Sequence, residues 1–258
     1  MSITIVIANQ KGGVGKTTTA VNLAACLAER GMRVLLVDED PQGNATSGLG
    51  IDKRELDGTV YEVIVHELNV KEAIISTGME NLDILPSSID LAGAEIELVS
   101  VIGRERRLRD ALEAVSDEYD YIIIDSPPSL GLITINALAA SDQVLVPIQC
   151  EFYALEGLSQ LVKTITLVKK HINPKLKIEG VVLTMFDART NLSTQVVEEV
   201  MKFFPEKVHK VIIPRNVRLG EAPSHGLPIT KYDPKCLGST AYKELTEEIL
   251  LLGGKIEK

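Results

Sequence analysis

Short apolar runs alternate along the chain with stretches in which apolar residues recur every three to four positions. The first run, residues 3–8, is almost wholly apolar and β-branched, which suits a strand buried on both faces of a parallel sheet. Past it, Val21, Leu23, Ala24, Leu27 and Ala28 repeat at helical spacing until Gly31, so a helix is expected to stop there. Further strands are expected at 33–37, 82–86, 121–125, 144–148, 178–185 and 208–213, and helices at 155–171, 193–203 and 239–252. Weaker helical stripes fall at Val60, Val63, Ile64 and Leu68, and again at Val70, Ala73 and Ile74. Residues 90–115 read as one helical stretch in which Arg104, Arg106, Arg107 and Arg109 alternate with acids along a solvated face. Strand and helix alternate with neither repeat nor low-complexity linker. The expectation is one α/β domain over 1–258, a mostly parallel twisted sheet with helices on both faces.

Between the first strand and the first helix stands Ala8-Asn-Gln-Lys-Gly-Gly-Val-Gly-Lys-Thr-Thr18. Strand, glycine turn and helix form the context of a P-loop. Gly12, Gly13 and Gly15 let the backbone turn tightly, so that the N–H groups from Gly12 through Val14 to Thr18 and the helix N-terminus face phosphate oxygens. Lys16 then reaches the β- and γ-phosphates of ATP, and the Thr17 hydroxyl serves Mg²⁺. The usual pattern places glycine at position 10, where this chain has Gln10, followed by an extra lysine, Lys11.

Two aspartate-bearing strand ends complete the chemistry. The strand at 33–37 runs into Asp38-Glu-Asp-Pro-Gln-Gly-Asn-Ala-Thr46, which puts Asp38, Asp40 and Gln42 at the carboxyl edge where ligands of open α/β sheets collect. Tyr121-Ile-Ile-Ile-Asp125 reads as a Walker B strand whose carboxylate holds Mg²⁺, although an aspartate there also serves as a helix cap. Asp40 before Pro41 likewise has a turn-capping alternative.

The Lys-Gly-Gly-x-Gly-Lys-Thr form resembles the deviant Walker A loop of the ParA/MinD ATPases. With 38–50, 125–131, 186–191 and 214–226 the resemblance runs over essentially the whole length, and the order of motifs looks like chromosomal ParA proteins of the Soj type. The resemblance implies an ATPase in which Lys11 crosses a homodimer interface to the partner's nucleotide, Lys16 is catalytic, and Asp40 orients or activates water. It places Asp38 with Asp125 and Thr17 around Mg²⁺. Adenine is expected against Met185 or Asp187, and against Pro214 and Asn216. Arg189, Arg215 and Arg218, with Lys53 or Arg54 nearby, are the implied contacts to nonspecific double-stranded DNA; the alternative is that they pair with acids of this chain. A ParB-type centromere-binding protein is the implied partner that stimulates hydrolysis.

Composition sharpens this picture. With 27 basic and 36 acidic residues the net charge is −9 and the pI near 5.1, so DNA contact must come from a local patch. Cys26, Cys150 and Cys236 are scattered and give no metal-ligand spacing, which fits reduced thiols in a cytosol and excludes an iron–sulfur ATPase with bridging cysteines. His66, His171, His209 and His225 read as ordinary surface or loop histidines. No signal peptide or membrane-spanning run stands out, and the acidic face of the last helix suits core docking rather than the lipid binding of a MinD-like positioning ATPase. No acceptor-pocket motif of a metabolic P-loop kinase or ligase is evident. The first strand starts at residue 3, so no N-terminal DNA-reading domain is expected. A cytoplasmic, nucleoid-associated protein is the resulting expectation.

Overall fold

A computed structural model describes residues 2–151 and 157–252. Its strands are β1 (Ile3–Ile7), β2 (Val34–Asp38), β3 (Ile75–Ser76), β4 (Leu82–Leu85), β5 (Tyr121–Asp125), β6 (Gln143–Gln149), β7 (Lys177–Phe186) and β8 (Val208–Pro214). They form one sheet in the order β3-β4-β2-β5-β1-β6-β7-β8, parallel throughout except for β3 against β4. Helices α1 (Lys16–Glu29), α2 (Asn44–Gly48), α3 (Val60–Val65), α4 (Val70–Ala73), α5 (Ala94–Glu97), α6 (Arg107–Glu113), α7 (Leu132–Ala140), α8 (Leu158–His171), α9 (Asn191–Phe203), α10 (Val217–Glu221), α11 (Ile229–Tyr232) and α12 (Leu237–Leu252) connect them. Among the described residues no helix is long and apolar enough to cross a membrane.

The central strands feed both faces of the sheet. Val6, Leu35, Val37, Ile122 and Ile124 enter one core with α3, α6, α7, α8 and α9, while Ile5, Ile7, Val34, Leu36 and Ile123 enter the other with α1, α11 and α12. The period of two along each strand thus divides its apolar residues between two layers. α12 is held to α1 within its layer by Tyr242, whose hydroxyl lies 3.1 Å from Thr19 Oγ1 in a buried contact.

Three expectations change. Residues 90–115 are not one helix: a 3₁₀ turn at Ile89–Gly93 precedes short α5, 3₁₀ turns at Leu98–Ser100 and Arg104–Arg106 separate it from α6, and Gly103 takes φ +74° before the last of them. Leu91, Ala94 and Leu98 still point inward, so the apolar spacing was sound while helical continuity was not. Arg104, Arg107 and Arg109 pair with Glu105, Glu67 and Asp110 on the solvated side. The second difference is α7, an additional helix that follows the Ser-Pro-Pro turn. The third is His209, which is buried rather than superficial. Its Nε2 lies 2.9 Å from Glu179 on β7 and its Nδ1 3.3 Å from Glu248 on α12. Burial alone would lower its pKa, but Glu179 and then Glu248 raise it above 6.5. The expected helix at 155–171 is seen from Leu158; its residues 155–156 lie outside the described residues.

Candidate functional site

Register brings the chemistry together. Asp125 at the end of β5 lies beside Ile7 of β1 on one side and Asp38 of β2 on the other. The phosphate loop, the 38–46 segment and the loop after Asp125 therefore leave the sheet side by side at its carboxyl edge.

The loop from Asn9 to Thr18 is tied down at both ends. Buried Asn9 donates Nδ2 to the Pro147 carbonyl at 2.7 Å and accepts the Lys11 N–H at 3.0 Å. Thr184 donates its hydroxyl to the Val14 carbonyl at 2.8 Å. Gly13 and Gly15 adopt φ +71° and +88°, which other residues reach only with strain. Gly15 caps α1 without any side-chain hydrogen bond, so the first N–H groups of a fourteen-residue helix face the loop's interior. Lys16 Nζ donates back to the Lys11 carbonyl at 3.0 Å. Burial lowers the Lys16 pKa, and Asp125 and Asp40 oppose that shift. Thr17 and Thr18 follow on the first turn. Lys11 is partly exposed at the loop's outer rim, and its ammonium makes no ion pair or hydrogen bond among the described residues.

The facing carboxylates divide by environment. Asp38, fully buried, accepts the Thr46 N–H at 2.8 Å and its hydroxyl at 2.7 Å, and the more distant Asp40 N–H at 3.3 Å. Burial pushes its pKa up to about 6 despite those bonds. Asp125 is equally buried, and neither of its oxygens has a hydrogen-bond partner. Burial, then Asp38, drive its pKa well above the usual carboxylate range, with Thr17 and Lys16 acting in the opposite sense. Asp40 accepts the Gln42 N–H at 2.9 Å and lies close enough to Lys16 to act on its charge. It is thus both a turn cap and a carboxylate at the site.

Orphaned oxygens on Asp125 beside a threonine hydroxyl form an all-oxygen donor set of the kind Mg²⁺ takes. Among the described residues no three His, Cys, Asp or Glu side chains are arranged to hold a metal by themselves. The fit is therefore to a cation that arrives with phosphate oxygens and water.

Next to the loop, a cavity of about 320 Å³ is lined by Gly15, Thr18, Thr184, Met185, Pro214, Asn216 and Tyr242, among others. Met185 takes φ +52°, and Asn216 caps α10 by accepting the Arg218 N–H at 2.8 Å. Asp187 does not line this cavity and is turned to Arg189.

Each candidate DNA arginine is exposed and paired: Arg189 with Asp187 at 2.6 Å, Arg215 with Glu151 at 2.7 Å, and Arg218 with Glu221 at 2.8 Å and Asp233 at 3.5 Å. Arg54 is paired with Asp52, whereas Lys53 reaches over the 38–46 segment and donates to the Gln42 carbonyl at 2.7 Å. Thr46, Thr184 and Asn9 are site residues that sequence reasoning did not single out. A threonine eight positions beyond Asp38 carries no signal until the segment is folded back upon it.

Residues 2–178 match the AAA domain family. The chain is 64% identical over 249 residues to the sporulation initiation inhibitor protein Soj of Bacillus subtilis, which covers 96% of this chain and 98% of that protein. It is 58% identical over 246 residues to the chromosome partitioning protein ParA of Myxococcus xanthus, covering 95% and 87% respectively. Among solved structures, cobyrinic acid a,c-diamide synthase from Mycobacterium smegmatis with bound ATP analog and magnesium superimposes with a TM-score of 0.86 at 39% identity, covering 97% of this chain and 95% of that one.

Proposed function

Because the chain belongs to the Soj/ParA family of chromosome-partitioning ATPases, we propose that it acts as a nucleotide-gated dimer that holds nonspecific DNA while ATP is bound and lets go after hydrolysis. It is an ATPase that works with Mg²⁺. The observation that carries the reading is the meeting of buried Lys16, Asp38, Asp40 and Asp125 at one sheet edge, with uncommitted Lys11 at the rim.

Phosphoryl transfer to water needs charge neutralisation and a positioned nucleophile more than covalent chemistry. The Gly12–Thr18 amides and the α1 N-terminus bind the phosphates, and Lys16 leaves the Lys11 carbonyl to meet them. Thr17 with Asp125, and Asp38 behind them, would hold Mg²⁺, which would supply charge neutralisation to the phosphates. Asp40 orients the attacking water. Two such sites placed face to face would bring phosphates together, and a Lys11 from each protomer against the other's nucleotide offsets that repulsion. Loss of the γ-phosphate weakens the pairing. Met185, Pro214 and Asn216 line the adenine cavity, and one domain carries the whole cycle.

Arg189, Arg215 and Arg218 supply sequence-independent phosphate contacts. A ParB-type partner stimulates hydrolysis, and the protein resides on the nucleoid. A second reading, a small-molecule synthase, is favoured only by the likeness to the diamide synthase. Binding to nonspecific duplex DNA with ATP, with ADP and without nucleotide separates the two. ATP-dependent binding that Arg218→Glu abolishes and Asp40→Ala prolongs is expected; no binding in any state sinks the partition reading.

A further inference from the structure

Residues 89–102 carry apolar side chains on both sides of a short helical ribbon. Leu91, Ala94 and Leu98 fill the core, yet Ile89, Ile96, Val99 and Ile102 are 65%, 78%, 63% and 98% exposed. Ile89, Ile96 and Val99 stand on three successive turns, a 3₁₀ turn, α5 and a second 3₁₀ turn. A helical segment that is apolar on both sides is normally covered on both. Four exposed aliphatic side chains within fourteen residues mark a surface where something else binds.

Charge says what that is. Across 89–102 there are three carboxylates, Asp90, Glu95 and Glu97, and no lysine, arginine or histidine. None of the three is ion-paired among the described residues; Glu97 accepts the Tyr61 hydroxyl at 3.0 Å and Asp90 the Ser88 hydroxyl at 3.3 Å. The nearest cation along the chain, Arg104, is turned to Glu105 and to the Val99 carbonyl. An aliphatic stripe among unpaired acids repels DNA phosphates and anionic lipid, and it repels its own like in a symmetric pairing. It fits an amphipathic segment with aliphatic residues on one side and lysine or arginine at the rim.

We propose that the outer face of residues 89–102 docks a cationic amphipathic segment of the protein that stimulates hydrolysis, a proposal that rests on the partition reading above. The position suits that task. This ribbon starts immediately after β4 and Ser87, at the same sheet edge as the phosphate loop. The Ser87 N–H is bound by Thr46 Oγ1 at 3.1 Å, and that same hydroxyl donates to Asp38. The Ser87 carbonyl also packs against Gly43, where a Cβ would stand 3.2 Å from it. A segment seated on Ile89 and Ile96 therefore presses on a strand end that holds the Asp38–Gly43 segment in place.

The test is the Ile96→Lys/Val99→Lys double variant of the full chain, whose altered side chains lie in solvent and outside the nucleotide site. ATP hydrolysis is measured with duplex DNA while a purified ParB-type protein from the same organism is titrated in. Half-maximal stimulation should need about tenfold more partner, the loss of roughly one interface hot spot, while basal turnover and ATP-dependent DNA binding stay within about twofold. Equal stimulation of both proteins overturns the docking surface and leaves the partition reading standing. Loss of ATP-dependent dimerisation in the variant would assign the surface to a second copy of the chain instead. No stimulation of the unaltered protein overturns both.

Discussion

Lys16 and Glu39 show how burial sets the behaviour of single residues at this site. The Lys16 ammonium is out of water and spends its hydrogen bond on the Lys11 carbonyl, so binding phosphate exchanges a neutral acceptor for a charged one. Charge-assisted hydrogen bonds contribute about 1.5–3 kcal/mol. Lys16→Gln should accordingly weaken ATP binding by about ten- to hundredfold in a nucleotide titration. Lys11→Ala is expected to leave nucleotide affinity of the isolated protomer nearly unchanged while removing ATP-dependent dimers, read by light scattering. Glu39 is different: it lies between two site aspartates, wholly buried, with both oxygens unpartnered. Burial raises its pKa well above the usual range, so the side chain is carried as an uncompensated polar group. Glu39→Met, close in volume, should stabilise the fold by about 1–3 kcal/mol, seen as a rise of several degrees in thermal unfolding. A lower melting temperature would show that the carboxyl has a role the packing does not explain.

Among the elements, β7, β8 and α12 share one buried charge cluster. His209 sits against Gly180, where a Cβ would stand 2.3 Å from Nε2, and between Glu179 and Glu248; the latter also accepts the Lys210 and Val211 N–H groups. The folded-state pKa of His209 lies above the ordinary 6.5. Its contribution to stability is therefore complete below that value and is lost as pH rises through the folded pKa. His209→Gln leaves Glu179 buried without its cation and should cost about 3–5 kcal/mol in denaturant unfolding at pH 6, with the gap to the parent protein narrowing at pH 9. None of this was legible beforehand, because α12 returns to β8 from some forty residues away and no local pattern announces the cover. The central strands were legible for the opposite reason: Ile3–Ile7 and Tyr121–Asp125 carry their period and composition within five residues. The Gly-Lys-Thr loop and the two strand-end aspartates were equally local. The break-up of 90–115 was not, since Leu91, Ala94 and Leu98 keep helical spacing even where Gly103 turns the chain.

For the molecule as a whole, the proposed DNA binding has to be reconciled with a net charge of −9. The three candidate arginines are each neutralised by a neighbouring carboxylate. Exposed pairs of this sort contribute at most about 1 kcal/mol, so a phosphate can displace Asp187, Glu151 or Glu221 at small cost. One protomer then offers three contacts against a repulsive background, which is too few for useful affinity at physiological salt. On the proposed reading, a dimer that aligns both sets doubles the contacts on one surface without changing any of them, and ATP would then govern DNA binding through assembly alone. Counterion release makes the argument measurable. With about six phosphates neutralised, log K should fall against log salt with a slope near −5 for the ATP form. Arg218→Gln removes one contact per protomer, so the slope should flatten by about 2 while affinity drops at every salt concentration. A slope near −2 to −3 in the unaltered ATP form would mean that a single protomer makes all the contacts, and dimerisation would then have to act on DNA by some route other than counting charges.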